Sequence, residues 1–276
     1  MLHTRVPLIA AALTVLLATT PALAQESPKR EELRSKTQAQ LTQIAESLDG
    51  VMGYVAVDLE SGERLERLPN ETFPLASTIK LAILYELFKQ ADEGRLKLDE
   101  IRPLDRRHAV GGSGVLFELT TPSMSLRDYA VLMIVLSDNT ATNVLIETVG
   151  MDNVNRRMSA LGMPGLKLRR RMIDLDAARR GDENVGAPAD LAKLLQIIYR
   201  GEGLSQASAD GIVEILKKPK SSALRAAVPG NIPVANKTGG LEAVAADAGI
   251  VYLPNRPYIL VVTTTYLKNN ADGDDA

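Results

Sequence analysis

The stretch Ser77-Thr78-Ile79-Lys80 places a hydroxyl and an amine three residues apart, at the start of an apolar run typical of a helix. Residues with this spacing lie one turn apart on the same helix face, so the Lys80 amine can approach the Ser77 hydroxyl. A serine becomes a nucleophile when a neighbouring base takes its proton, and burial can lower the pKa of a lysine enough for that role. The alternative is a serine that caps the helix beside a solvated lysine.

Two further motifs follow this stretch along the chain. Ser137-Asp138-Asn139 comes after the apolar run 129–136, and Lys237-Thr238-Gly239 opens a segment with the composition of a sheet. Each motif alone also fits an ordinary helix cap or strand end. The three together, in this order and separated by 60 and 100 residues, are the signature of class A β-lactamases and penicillin-binding proteins. From about Glu31 to the C-terminus, the chain resembles this family.

Composition excludes several other kinds of enzyme. The sequence has no cysteine and two histidines, of which only His108 follows the N-terminal apolar segment. A zinc site of His and Cys ligands, thiol catalysis and disulfides are therefore excluded, and a Ser-His-Asp triad would have to use His108, which lies in a charged loop. The 32 basic and 34 acidic residues form no basic block that would suit nucleic acid. We expect no metal and no organic cofactor.

The N-terminus has the pattern of a secretory signal peptide. Residues 1–5 carry one positive side chain, residues 6–20 are almost wholly apolar, and Ala22-Leu23-Ala24 precedes Gln25. The apolar run is shorter than the roughly 20 residues that a membrane span needs. We predict that residues 1–24 are the signal peptide and that residues 25–276 form a single β-lactamase-like catalytic unit. This unit is expected to be a secreted, periplasmic monomer with no stable membrane insertion after cleavage.

The order of predicted elements indicates an α+β fold. A helix is predicted from Pro28 through Leu48, followed by a hairpin of residues 54–59 and 64–68 around the turn Ser61-Gly62. Helices are predicted for the middle of the chain, and two strands, residues 250–253 and 258–267, for its end. The resemblance implies an α/β/α sandwich, in which an antiparallel sheet lies beside a mainly helical lobe. The site is expected at the seam between them.

The resemblance assigns catalytic roles to four residues. Ser77 is similar to the acylated nucleophile, and Lys80 is similar to the base that activates it. Ser137 resembles the hydroxyl that passes a proton to the leaving nitrogen, held between Lys80 and Lys237. The reaction implied is acyl transfer from a β-lactam, or from a D-alanyl-D-alanine peptide, to Ser77.

The resemblance also assigns residues that bind the substrate. Asn139 is expected to hydrogen-bond the amide of the substrate side chain. Thr238, with Lys237 and the adjoining Gly239, resembles the segment that meets a substrate carboxylate. The N–H of Gly240 is expected to complete an oxyanion hole with that of Ser77.

The loop between the second and third motifs departs from the family pattern. Class A β-lactamases carry there a glutamate that activates the deacylating water, with an asparagine four residues later. Alignment of the matching stretch, residues 168–176, places Met172 at the glutamate and Asp176 at the asparagine. A thioether cannot take a proton from water, and general-base assistance typically contributes about 10²- to 10⁴-fold. Either Asp176 or, less favourably, Asp174 supplies the missing base, or both belong to a solvated charge cluster with the nearby arginines.

Two more departures concern recognition and the end of the chain. Residues 240–245 lack the arginine that relatives often present to the substrate carboxylate, and Arg225 either compensates or is a surface residue. No apolar helical stripe follows Leu267, so the C-terminal helix of the family is expected to be missing. The outer face of the sheet and the stripe of Leu41, Ile44 and Leu48 are then expected to be partly exposed, in a truncated sequence or a protein of marginal stability.

Three functions remain open from the sequence. The first is an exported active-site-serine hydrolase that forms an acyl-enzyme on Ser77 with β-lactams and opens the ring, with weak turnover. The second is a penicillin-binding D,D-peptidase that acts on D-Ala-D-Ala cell-wall peptides. The third is a non-catalytic exported binding module. The expected partner in the first two is a small-molecule β-lactam or a D-Ala-D-Ala peptide.

Overall fold

The computed structural model describes residues 28–120 and 122–276, so the predicted signal peptide, residues 1–24, lies outside the described residues. The helices in the described part are α1 (Pro28–Ser47), α2 (Lys80–Asp92), α3 (Leu126–Val135), α4 (Asn139–Val149), α5 (Met151–Ala160), α6 (Leu175–Arg179), α7 (Pro188–Arg200), α8 (Gln206–Lys217), α9 (Ala223–Ala227) and α10 (Asn270–Asp275). The strands there are β1 (Val51–Asp58), β2 (Arg64–Arg67), β3 (Phe73–Pro74), β4 (Ile101–Pro103), β5 (Ser123–Ser125), β6 (Val185–Gly186), β7 (Val234–Leu241), β8 (Val244–Val251) and β9 (Tyr258–Thr265). The chain divides into two compact units, and the boundary lies between residues 37 and 38. Within residues 28–120 and 122–276, no helix combines the length and the apolar character that a membrane span requires.

The main sheet is antiparallel and has the strand order β2-β1-β9-β8-β7. The predicted hairpin is present as β1 and β2, with Tyr54 opposite Arg67 and Val57 opposite Arg64. Gly62 has a φ of +76° in the turn, a conformation that favours glycine over residues with a side chain. The strand that carries Lys237-Thr238-Gly239 is β7, at one edge of the sheet. The predicted α+β class, with an antiparallel sheet and a helical lobe, is confirmed.

Helix α2 is the centre of the helical lobe. Ten of its thirteen residues are buried, and a helix buried around its whole circumference is typical of a protein interior. Its buried carboxylate, Glu86, accepts hydrogen bonds from Arg95 and Arg157 at 3.2 and 2.9 Å. The helix is therefore fixed on every side, and with it the position of Lys80 at its N-terminus.

The outer face of the sheet is covered only in part. Helix α1 packs on Met52 and Tyr54 of β1 through Leu41 and Ala45, together with Leu48 just after the helix. Ile44 of the same helix remains 40% exposed. After β9 the chain forms the short helix α10, none of whose residues is buried. Asn269 caps this helix, because its side chain accepts from the N–H of Ala271. The region after Leu267 is thus a polar six-residue helix without an apolar stripe.

Candidate active site

The turn that carries Ser77 leads directly into α2. Ser77 lies in a 3-10 turn, Ala76–Ile79, and Lys80 is the first residue of α2. Leu75 occupies the cap position of the turn and Ile79 that of α2, so the interpretation of Ser77 as the helix N-cap is wrong. Ser77 is half-buried, whereas the other three residues of the motif are buried. The motif therefore exposes its hydroxyl while it buries its amine.

Lys80 joins the first motif to the second. Its Nζ lies 2.7 Å from the carbonyl oxygen of Ser137, 3.0 Å from Ser137 Oγ and 3.1 Å from Asn139 Oδ1. Within the described residues these oxygens are its hydrogen-bond partners, and Ser77 Oγ is not among them. The contact with Ser137 Oγ can run in either direction, because a neutral amine accepts as well as donates. This pair of atoms can therefore pass a proton.

The charge of Lys80 is disfavoured by its surroundings. The side chain is 0% exposed, and this burial lowers the pKa of Lys80 well below its usual value. The positive charge of Lys237 lowers it further, while the carboxylate of Asp138 opposes both effects. A neutral amine is the form that can accept a proton, so these surroundings suit Lys80 to act as a base.

The second motif adopts a strained turn between α3 and α4. Ser137 has a φ of +52°, a conformation that costs a residue with a side chain roughly 1–3 kcal/mol. The turn is held by Asp138, whose Oδ1 accepts from the N–H of Ala141 at 2.8 Å. The other oxygen, Oδ2, accepts from the N–H groups of Val115 and Leu116 at 2.7 and 2.9 Å. Asp138 therefore braces the preceding loop against the turn, and Ser137 is presented by a rigid support.

The third motif lies directly against the turn of Ser77. A Cβ atom at Gly239 would lie 2.8 Å from the carbonyl oxygen of Leu75 and 3.1 Å from the N–H nitrogen of Thr78. Only glycine allows β7 to approach this closely. A Cβ atom at the next residue, Gly240, would meet no atom within 4 Å. The backbone at Gly240 therefore borders open space, as an oxyanion-hole donor requires.

Lys237 is almost completely buried inside β7. Its side chain donates to the carbonyl oxygen of Thr238 at 2.7 Å, and burial lowers the pKa of Lys237 to about 8, against the opposing charge of Asp247. The preceding residue, Asn236, donates to Asp247 at 2.7 Å and accepts from Arg225 at 2.8 Å. A hydrogen-bonded cluster outside the motif thus fixes the strand that carries Lys237.

Arg225 belongs to this supporting cluster. Besides Asn236, its guanidinium donates to the carbonyl oxygens of Leu216 and Lys217 at the end of α8, each at 3.1 Å. These bonds tie the end of α8 to β7. The sequence left Arg225 either as a substitute contact for the substrate carboxylate or as a surface residue. In the structure it is not a free surface residue, and its donors are engaged by the protein itself.

The loop with Met172 borders the second motif. Asn143 of α4 accepts from the N–H of Met172 at 2.8 Å and donates to its carbonyl oxygen at 3.2 Å. The thioether is 7% exposed and packs in the main core. Asn143 was not among the predicted site residues, although it lies four residues after Asn139, a spacing that places both residues on one face of a helix. Asn143 fixes the backbone at the position that the alignment equates with the family's glutamate.

The two aspartates of this loop are directed elsewhere. Asp174 caps α6, because its Oδ1 accepts from the N–H of Ala177 at 2.9 Å. Asp176 has a side chain that is 79% exposed and forms an ion pair with Arg179. This geometry fits the interpretation of a solvated charge cluster, and it gives neither carboxylate the buried position that Met172 occupies.

Known proteins resemble this chain in sequence and in fold. The model of the β-lactamase enzyme family matches residues 36–276. An imipenem-hydrolyzing β-lactamase of Enterobacter cloacae is 31% identical over 244 residues, which are 86% of this chain and 84% of that protein. The solved structure of PBP-A is 30% identical with a TM-score of 0.81, over 87% of this chain and 91% of that one. A variant of PBP-A is known as an acyl-enzyme complex with penicillin G.

A reconstructed ancestral class A β-lactamase is similar to the same extent. It is 28% identical with a TM-score of 0.79, and the match covers 86% of this chain and 92% of the ancestral one. The match of the family model extends over far more than half of the sequence and includes all three motifs. The chain therefore belongs to the β-lactamase enzyme family, and the reconstructed ancestor that it resembles is of the class A type.

Proposed function

We propose that this protein is an exported active-site-serine hydrolase that forms an acyl-enzyme on Ser77 with β-lactams and opens the ring with weak turnover. The observation that carries the proposal is the buried amine of Lys80, which bonds to Ser137 and follows the turn of the half-buried Ser77. Membership of the β-lactamase family supports the substrate class. The signal-peptide pattern of residues 1–24 supports export to the periplasm.

In the proposed reaction, Ser77 Oγ attacks the carbonyl carbon of the lactam and its proton passes to the neutral amine of Lys80. The N–H groups of Ser77 and Gly240 stabilise the oxyanion of the tetrahedral intermediate. The C–N bond of the ring then breaks, and a proton passes from Lys80 through Ser137 to the leaving nitrogen. The products of this step are an ester on Ser77 and an opened ring.

The substrate is held by groups around this centre. Lys237 and Thr238 meet its carboxylate, since an ammonium and a hydroxyl both donate hydrogen bonds to an anion. Asn139 has a second amide N–H beyond the one that it donates to the carbonyl oxygen of Gly111 at 3.1 Å. That second donor binds the amide of the substrate side chain.

Weak turnover follows from the second half-reaction. Water must attack the ester on Ser77, and the buried thioether of Met172 cannot accept the proton of that water. A second candidate function, a penicillin-binding D,D-peptidase acting on D-Ala-D-Ala peptides, is favoured by the same residue. An enzyme of that kind is trapped by β-lactams rather than destroying them, as slow deacylation would require.

The test is to mix purified protein with benzylpenicillin, quench at intervals from seconds to hours, and record intact mass beside the amount of hydrolysed drug. We expect an adduct on Ser77 that forms within minutes and decays slowly while drug is hydrolysed. An adduct without any hydrolysis would favour the D,D-peptidase, which is then assayed by release of D-alanine from a D-Ala-D-Ala peptide. If no β-lactam forms an adduct, the protein is a non-catalytic binding module.

The acylation rate should depend on pH through Lys237. Its pKa of about 8 means that it is charged below this pH and neutral above it, so recognition of a substrate carboxylate should weaken as the pH rises from 7 to 9.5. We expect kcat/KM for acylation by benzylpenicillin to fall at least about tenfold over this range, because a charge-assisted hydrogen bond is lost. The rate of adduct formation, measured by rapid quench, gives the profile.

A penicillin methyl ester is the control for this profile. It lacks the carboxylate, so its acylation should not show the same fall, and an equal fall for acid and ester would contradict the role of Lys237.

The free energy of unfolding should change with pH in the opposite direction to the acylation rate. Because the folded pKa lies below that of the unfolded chain, the unfolded chain binds more protons between pH 8 and 10.5, and Lys237 makes the protein more stable as the pH rises through this window.

A further inference from the structure

Asp247 lies on β8, directly opposite Thr238 of the third motif. Its Oδ1 accepts from the side-chain amide of Asn236 at 2.7 Å, and its Oδ2 accepts from the N–H of Leu224 at 3.2 Å. Asn236 is 0% exposed, and its amide also donates to Ser222 Oγ at 2.8 Å. The carboxylate of Asp247 is therefore held in a fixed place beside β7.

Three basic side chains lie around this carboxylate. Arg225 donates to the other end of the Asn236 amide, and both Arg225 and Lys220 donate to the same carbonyl oxygen at the end of α8, at 3.1 and 2.6 Å. Lys237 is the third. Burial lowers the pKa of all three groups, that of Lys220 to about 7 and that of Lys237 to about 8, and the charge of Asp247 opposes this effect in each case.

Asp247 acts on Lys237 by its charge and not by contact. Successive residues of a strand point to opposite faces of a sheet, so Asn236, which holds Asp247, and Lys237 lie on opposite faces of β7. Lys237 donates to the carbonyl oxygen of Thr238, and within the described residues no hydrogen bond or ion pair joins it to Asp247. The interaction therefore runs across the strand.

Two more charged groups face this pair. Lys80 lies on the helical side, where burial and then the charge of Lys237 lower the pKa of Lys80. Asp274 of α10 faces Asp247 from the outer side, where burial raises the pKa of Asp274 and the charges of Asp247 and Asp275 raise it further. Lys237 thus has a cation on its helical side and the carboxylate of Asp247 across the strand.

We propose that Asp247 is a positioning residue whose negative charge keeps Lys237 protonated, so that Lys237 can bind the carboxylate of the substrate at neutral pH. The inference rests on the proposed function, because it takes Lys237 as the group that meets this carboxylate. Asp247 acts through Lys237 and not by touching the substrate. Recognition of anionic acyl donors then depends on a residue outside the three motifs.

The test measures the acylation of Ser77 by benzylpenicillin and by its methyl ester from pH 6 to 9.5, by rapid quench. The readout is the ratio of the two rates, because the ratio cancels changes that affect both compounds equally. In the wild type this ratio should fall with a midpoint near the Lys237 pKa of about 8. Asp247→Asn and Asp247→Ser remove the charge and should lower the midpoint by about one pH unit, as expected when an opposite charge near a titrating group is lost.

Two charge controls and a folding check complete the design. Asp247→Glu keeps the carboxylate and should keep the wild-type midpoint. Asp210→Asn removes an exposed carboxylate of α8 that accepts from Gln206, and it should also leave the midpoint unchanged. Thermal unfolding identifies any variant that does not fold, and the two neutral substitutions at residue 247 keep the test open if one of them fails.

The outcomes separate this inference from the proposed function. If the neutral variants keep the wild-type midpoint, or change the ratio equally at every pH, Asp247 does not control the charge of Lys237, and its assignment is overturned while the proposed function stands. If acid and ester show the same profile in the wild type, the role of Lys237 is overturned and the assignment of Asp247 with it. If the wild type forms no adduct with either compound, the proposed function itself is overturned.

Discussion

Lys80→Met should lower the rate of Ser77 acylation by about 10³-fold, within the range that general-base catalysis typically contributes. Methionine keeps an unbranched stem of similar length, which suits a position that is 0% exposed, but it has no amine to accept the proton of Ser77. It also cannot return a proton through Ser137, whose Oγ lies 3.0 Å from the amine. The rate of adduct formation with benzylpenicillin, followed by mass spectrometry, measures the loss.

A matched variant and a folding check accompany this experiment. Lys218→Met removes an ammonium from an ion pair with Glu214 at the surface and should leave the acylation rate unchanged. Thermal unfolding of Lys80→Met should remain cooperative, because the substitution removes a buried polar amine and not an apolar contact. A folded Lys80→Met protein that is acylated at the wild-type rate would show that another group activates Ser77.

Met172→Glu should accelerate deacylation by about 10²- to 10⁴-fold, the usual contribution of a general base. Asn143 holds the backbone of residue 172 from both sides, so the new carboxylate would start from a fixed position beside the site. Burial should raise its pKa toward neutrality, which favours proton transfer from water. The lifetime of the penicillin adduct and the steady-state rate of hydrolysis measure the effect, while the rate of acylation should change little.

Met172→Gln is the control for this substitution. Glutamine has the shape of glutamate but cannot take a proton from water, so its adduct should persist as in the wild type. Both variants replace a thioether of the core by a polar group and should lower the melting temperature, since burial of a polar group without a partner is unfavourable. If the glutamine variant deacylates as fast as the glutamate variant, the missing base is not the reason for slow turnover.

Local patterns in the sequence were sufficient to determine much of the fold. The hairpin of β1 and β2 follows from alternating residues around a turn that contains Gly62, and the start of α3 follows from Ser125, whose side chain accepts from the N–H of Asp128. Signals of this type act between residues that are close in the chain. They therefore identify helices, strands and caps without knowledge of the tertiary packing.

The sequence also predicted the residues of the site, but it did not determine their contacts. The order of the three motifs pointed to Ser77, Lys80, Ser137 and Lys237, and the fold brings their segments together at the seam of the sheet and the helical lobe. The spacing of Ser77 and Lys80 suggested a direct contact. The packing of α2 against the turn of Ser137 instead gives Lys80 its partners there.

What only the tertiary structure decided is which side chains are free to act. The sequence left open whether Asp176 supplies a base, and its side chain is exposed beside Arg179. Arg225, offered as a substrate contact, is engaged by the end of α8 and by β7. The positive φ of Ser137, +52°, has no sequence signature either. The exposure of Asp176 and the partners of Arg225 depend on how separate segments pack together, and no local periodicity contains that information.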